Sequence, residues 1–149
     1  MKVTNYSQYN KPNEIFDLFK EGYLFHYNSK KDKFSLKTDS ELLDILINAL
    51  QNVHAIILSS DNQKEIYGFA LYQFKKGCST VLWIDELIIK SNYRHCGYGT
   101  IIMNELEKIA KDNKCNKIEL CCWSFNTNAS NFYNKLNYKE QRKILEKDI

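Results

Sequence analysis

At 149 residues the chain is long enough to form a single domain, 1–149, with a sizeable buried core. Apolar residues make up 44% and charged residues 26%, and the net charge of +3 comes from interspersed Lys, Arg, Asp and Glu, a pattern that disfavours nucleic-acid or membrane-surface partners. No apolar run reaches bilayer length and the first residues lack a signal-peptide core; five cysteines without a C-x-x-C pair predict reduced thiols and a cytoplasmic protein, and three dispersed histidines predict no metal site.

In chain order, 10–21 reads as a helix, with Pro12 near its start and Ile15, Phe16, Leu18 and Phe19 on one side. Gly22 is its expected stop. The stretch 23–36 is aromatic, polar and aperiodic, so it is expected to be a loop, and as a loop on a rigid scaffold it is expected to recognise substrate. A second helix spans 38–50, opened by the capping-box pair Thr38 and Glu41. The period then changes to that of strands: 53–59, 65–74 and about 81–89, joined by polar turns. A helix follows to Asp112, with Asn113 expected to take the left-handed stop. A fourth strand spans 117–123, a short helix 128–136, and a last strand is expected from Tyr138 onward. The order α-α-β-β-β-α-β-α-β predicts an α+β fold in which helices cover a mixed, mostly antiparallel sheet.

Between the third strand and its helix lies Arg94-His95-Cys96-Gly97-Tyr98-Gly99-Thr100. Glycines at a helix mouth let backbone approach a ligand, and the first N–H groups of the helix are unpartnered and at the positive end of its dipole. The combination suits a phosphate-sized anion, with Arg94 adding charge. There is no P-loop lysine motif and no dinucleotide fingerprint, so a pyrophosphate outside a nucleoside triphosphate, as in coenzyme A, is the ligand that fits.

Arg94-x-x-Gly97-x-Gly99 resembles the pyrophosphate motif of the GNAT superfamily of acetyl-CoA-dependent N-acetyltransferases. The block Asn126-x-x-Ala129-x-x-Phe132-Tyr133-x-x-Leu136-Asn137-Tyr138 is similar to a second family segment, at a distance that fits one helix and one strand. Asn137 replaces the usual glycine, and Asn is the next best residue for a left-handed stop. The resemblance implies a GNAT-like fold whose third and fourth strands splay apart. It also implies acetyl-CoA as cosubstrate, with pantetheine pairing along Leu87, Ile88 and Ile89 and pyrophosphate on the N–H groups of Arg94, His95, Cys96, Gly97, Tyr98, Gly99 and Thr100. The polyamine acetyltransferase group is similar by its acidic pair. Dimerisation is common for such domains, so a homodimer is an expectation.

Amine acetylation needs a neutral amine and a stabilised leaving thiolate. Tyr133 matches the family tyrosine that acts as general acid at the coenzyme sulfur. Asp85 matches the acidic candidate base of the polyamine group, with Glu86 the fallback; strand alternation points only one of them into the cleft unless a bulge intervenes. Asn126 is expected to contact coenzyme or to cap a turn. Cys121, Cys122 and Cys96 read as structural or incidental thiols, and His26 as an ordinary loop histidine. The acceptor is expected to be a small-molecule or protein amine. The alternative is a non-catalytic acyl-CoA sensor on the same fold.

Overall fold

The computed structural model describes residues 1–9 and 12–149. It contains β1 (Lys2–Asn5), α1 (Tyr6–Tyr9), α2 (Pro12–Ser29), α3 (Asp39–Asn52), β2 (His54–Ser59), β3 (Ile66–Lys76), β4 (Thr80–Ile89), α4 (Tyr98–Asp112), β5 (Lys117–Leu120) and α5 (Thr127–Lys135). The sheet runs in sequence order, β1-β2-β3-β4-β5, with antiparallel neighbours except for the parallel pair β4 and β5. The expected α+β architecture is therefore present.

Two apolar layers hold it together. On one sheet face, Ile15, Leu18 and Phe19 of α2 and Leu42 and Leu46 of α3 pack on Ala55, Ile57, Phe69, Leu71 and Ile88. On the other, Ile102, Met103, Leu106 and Ala110 of α4 pack on Ile56, Leu58, Ala70, Tyr72, Leu82 and Ile84, with α5 leaning on the same layer through Phe132 and Tyr133. The central strands read as continuous apolar runs because they are covered on both faces. The capping box of α3 forms as its sequence predicts: Glu41 N–H donates to the Thr38 hydroxyl and Thr38 N–H donates to the Glu41 carboxylate.

Four expectations need correction. The first helix does not stop at Gly22 but continues to Ser29, so 23–29 is helical rather than loop. Gly22 sits where the helix crosses β4, and a Cβ there would lie 2.6 Å from Ile88 Cδ1; this glycine serves close packing, not termination. The Tyr23 hydroxyl then donates to Ser35 C=O at 2.7 Å, fastening the loop that follows the helix. The left-handed residue after α4 is Lys114 (φ 55°), while Asn113 stays at φ −94°. The fourth strand ends at Leu120 rather than Trp123, and β1 pairs with β2 although the few residues of 2–5 carry little strand signal.

No strand follows Tyr138. In 139–149 the apolar Ile144 and Leu145 are adjacent, so on a strand they would face opposite ways and form no apolar stripe. Both are about nine-tenths exposed (86% and 89%), and the tail is tied instead by Lys30 and Lys33 to Glu146, each at 2.8 Å. A groove of about 480 Å³ lies between the tail's start, the end of α4 and the open edge of β5; Glu86, Tyr133 and Gly97 are not part of it. Among the described residues, no helix is long and apolar enough to cross a membrane.

Candidate active site

The pairing of β4 with β5 ends at Ile84 opposite Leu120. Past that point β4 keeps its ladder with β3 through Ile89 but has no partner on the β5 side. The expected splay is thus formed, and the edge of Leu87, Ile88 and Ile89 borders the gap. A short turn at Ser91–Tyr93 leads from β4 to the glycine loop.

The two loop glycines do different work. Gly97 caps α4 at φ 80°, a left-handed conformation that costs an L-residue about 1–2 kcal/mol, and a Cβ there would meet nothing within 4 Å. Open space beside this backbone, at the N-terminus of a 15-residue helix, is what an anion cradle needs. The first helical bond runs from Ile101 N–H to Gly97 C=O, so the N–H groups of Tyr98, Gly99 and Thr100 precede the ladder. Gly99 instead allows α5 to approach: its Cβ would lie 3.0 Å from Phe132 Cζ. His95 also takes a positive φ of 62°, and the Cys96 thiol contacts Arg94 C=O.

Arg94 is placed differently from a free anion ligand. Its Nη2 donates to Glu21 at 2.6 Å and its Nε to Ile89 C=O at 3.0 Å, so it ties the loop to α2 and to the end of β4. Its own N–H donates to Ser91 C=O. The fixed charge beside the cradle is shared with Glu21.

A β-bulge decides how the acidic pair points. Leu71 opposes Glu86 and Tyr72 opposes Ile84, which leaves Asp85 without a register partner. Asp85 is exposed, and its two carboxylate oxygens accept from Gln73 Nε2 at 2.9 and 3.0 Å. Glu86 shares the face of Ile88, two residues along, because their partners Leu71 and Phe69 both lie in the α2–α3 layer. Burial, and secondarily the charge of Asp85, pushes the Glu86 carboxyl up to about 7. Tyr133 on α5 is also partly buried. Its phenol is held well above the usual range, first by burial and then by the neighbouring groups Cys122, Tyr138 and Glu86.

Asn126 caps α5, its Oδ1 accepting from Ala129 N–H at 3.2 Å, and Asn137 takes the left-handed stop at φ 65°. The Cys122 thiol contacts Ser130 Oγ at 3.5 Å. Beyond β5, Trp123 and Phe125 stack on each other and meet the end of α2 and the loop after it, a contact that links segments far apart in sequence. Aromatic density at 23–34 and the Trp-x-Phe at 123–125 are its sequence signal.

A profile of the acetyltransferase (GNAT) family matches residues 13–138. The chain belongs to the GNAT acetyltransferase family. Solved structures similar to this GNAT acetyltransferase share its fold at low identity. A tetramutant of the BH1408 protein from Bacillus halodurans is 18% identical, with 100% of each chain covered and a TM-score of 0.85. An acetyltransferase from Trypanosoma brucei is 15% identical, with 99% of each chain covered and a TM-score of 0.65. A structure described as a possible acetyltransferase from Clostridium difficile 630 is 16% identical, covers 99% of this chain and 97% of its own, and has a TM-score of 0.73.

Proposed function

We propose that this protein is an N-acetyltransferase that takes the acetyl group of acetyl-CoA and delivers it to a primary amine by direct attack in a ternary complex. The observation that carries the reading is the placement of partly buried Glu86, in the neighbourhood of Tyr133, on the stretch of β4 that has parted from β5. The chain fits the coenzyme: an open left-handed glycine turn, the mouth of a long helix and an unpaired strand edge lie in sequence along 87–100.

Acetyl-CoA supplies an activated thioester. Glu86, titrating near neutrality, is poised to accept the proton that the acceptor nitrogen must lose, and a base near the working pH is the efficient one. Exposed Asp85, bonded to Gln73, is the second cause, after burial, of the raised proton affinity of Glu86. Tyr133 remains protonated across the physiological range and is a proton donor for a leaving thiolate. The N-terminus of α4 and the Tyr98–Thr100 N–H groups would hold pyrophosphate, while Arg94 keeps the loop in shape through Glu21 and Ile89.

Thermal unfolding with and without acetyl-CoA tests the binding half. A ligand specific to the folded state, at a hundred times its dissociation constant, adds about 2.7 kcal/mol. Thiol release with an amine panel tests the chemistry. Tyr133→Phe is expected to lower kcat about a hundredfold while the coenzyme-induced shift persists. Stabilisation by coenzyme without turnover of any amine would mark a sensor, and no stabilisation at saturating coenzyme would refute the reading.

A further inference from the structure

Five rings from two distant segments converge beside the cleft. His26 stacks on Phe34 (centroids 5.6 Å, 25°), and Trp123 stacks on Phe125 (5.7 Å, 17°). The two stacks are joined edge-on by Phe34 with Trp123 at 5.6 Å and by His26 with Phe125 at 6.0 Å, and Phe25 closes on Phe125 at 6.0 Å. The cluster is not sealed: Phe25 is 43% and Trp123 38% exposed.

Its position follows from the helix and strand beneath it. Gly22 lies on Ile88, and Glu86 is two residues from Ile88 on the same face of β4. Phe25 and His26 come one turn after Gly22 on α2. From the other side, Trp123 directly follows Cys122, which shares its neighbourhood with Tyr133 and Glu86. The rings therefore lie on the segments that follow Gly22 on α2 and Leu120 on β5, at the end where β4 and β5 part.

Charged groups of both signs lie along the same loop. Burial lowers the proton affinity of His26. The cationic groups nearest in the chain are Lys30, whose N–H donates to His26 C=O, and Lys33, which precedes Phe34; both are engaged by Glu146. Glu86, on the β4 face that α2 covers, is the partly buried carboxylate of the cleft. A polyamine would need free acidic partners for its further ammonium groups, and the carboxylates beside this loop, Asp32 and Glu146, are already paired with Lys30 and Lys33. A flat apolar body would match the stacked rings through area burial and offset or edge contacts.

Resting on the acetyl-transfer reading, we propose that this ring cluster is the acceptor subsite and that the acceptor is a primary monoamine carrying an aromatic body. The amine end reaches Glu86, and the aromatic end lies on Phe34, Trp123 and Phe125. The test is thiol release from acetyl-CoA with 2-phenylethylamine, butylamine and spermidine. 2-Phenylethylamine is expected to have a kcat/KM about tenfold or more above the other two. Phe34→Ala and Trp123→Ala are each expected to raise its KM about tenfold or more with kcat little changed. Phe34→Leu and Trp123→Phe serve the same purpose if the alanine variants fail to fold. In a Trp83→Phe protein, Trp123 is the sole tryptophan, so its fluorescence should respond saturably to 2-phenylethylamine. A preference for spermidine, an unmoved KM in the ring variants or a flat fluorescence titration overturns the assignment; if acetyl-CoA still raises the Tm, the acetyltransferase reading survives that failure. Absence of the coenzyme shift overturns both.

Discussion

Replacing Glu86 with Gln changes the charge of the cleft while nearly conserving side-chain volume. In the folded protein the carboxyl titrates at about 7, against 4.5 for an unhindered glutamate. At 1.36 kcal/mol per pH unit, that gap corresponds to about 3 kcal/mol. The sign follows from which state holds the proton more tightly. The folded state does, so this stability is fully present below pH 4.5 and is lost as pH rises through 7. At pH 8 the wild-type protein keeps a desolvated carboxylate with Asp85 next to it, and the neutral amide removes that cost. Glu86→Gln should therefore have nearly wild-type stability at pH 4.5 and be more stable at pH 8 by up to about 3 kcal/mol, a Tm rise of roughly 6–12 °C for a chain of this size. Acetyl transfer should fall by about a hundredfold or more in the same variant. Urea unfolding at a series of pH values, with thiol release at pH 8, measures both. A stability difference that does not grow with pH would refute the buried-carboxylate argument, and an unchanged rate would remove Glu86 from the chemistry.

The remaining predictions concern pH, the glycine turn and the helix cap. Wild-type kcat/KM for a good amine should rise with pH to a plateau above about 7, as Glu86 loses its proton; a profile flat from pH 6 to 8 would contradict this. Gly97→Ala should cost about 1–2 kcal/mol and weaken the acetyl-CoA thermal shift, because φ 80° is strained for any side chain. Gly99→Ala should cost about 1–3 kcal/mol by pushing on Phe132, and the second change Phe132→Leu should recover part of it; a purely local helix effect would show no recovery. Thr38→Ala removes the reciprocal cap of α3 and should lower stability by about 1 kcal/mol, read by urea unfolding.

Local chemistry makes much of this protein legible in the order of its residues. Thr38 and Glu41 find each other because a capping box needs only three residues of separation. The strand–glycine–helix unit and the α5 block carry their partners within a few residues, so Gly97, Asn126 and Asn137 take the cap or turn roles that their residue types suit. The change from helical to alternating or continuous apolar pattern marks β2, β3 and β4.

What the sequence left open are matters of contact between distant residues. Gly22 reads as a helix stop until β4 lies under it and Ile88 fills the place of its missing Cβ. Arg94 reads as a charge beside the glycine turn, and its pairing with Glu21 of α2 is a contact that no local pattern shows. The orientation of Asp85 and Glu86 turned on a single unpaired residue in the β3–β4 ladder, which only the register reveals. The pH at which Glu86 titrates likewise comes from the layers that exclude water from it more than from its neighbours in sequence. The ring cluster joins 25–34 to 123–125, and no periodicity links those stretches. A chain encodes its turns, caps and apolar faces over short spans. Burial and the meeting of remote side chains exist only after the layers have packed, and there the site's charge, shape and specificity are decided.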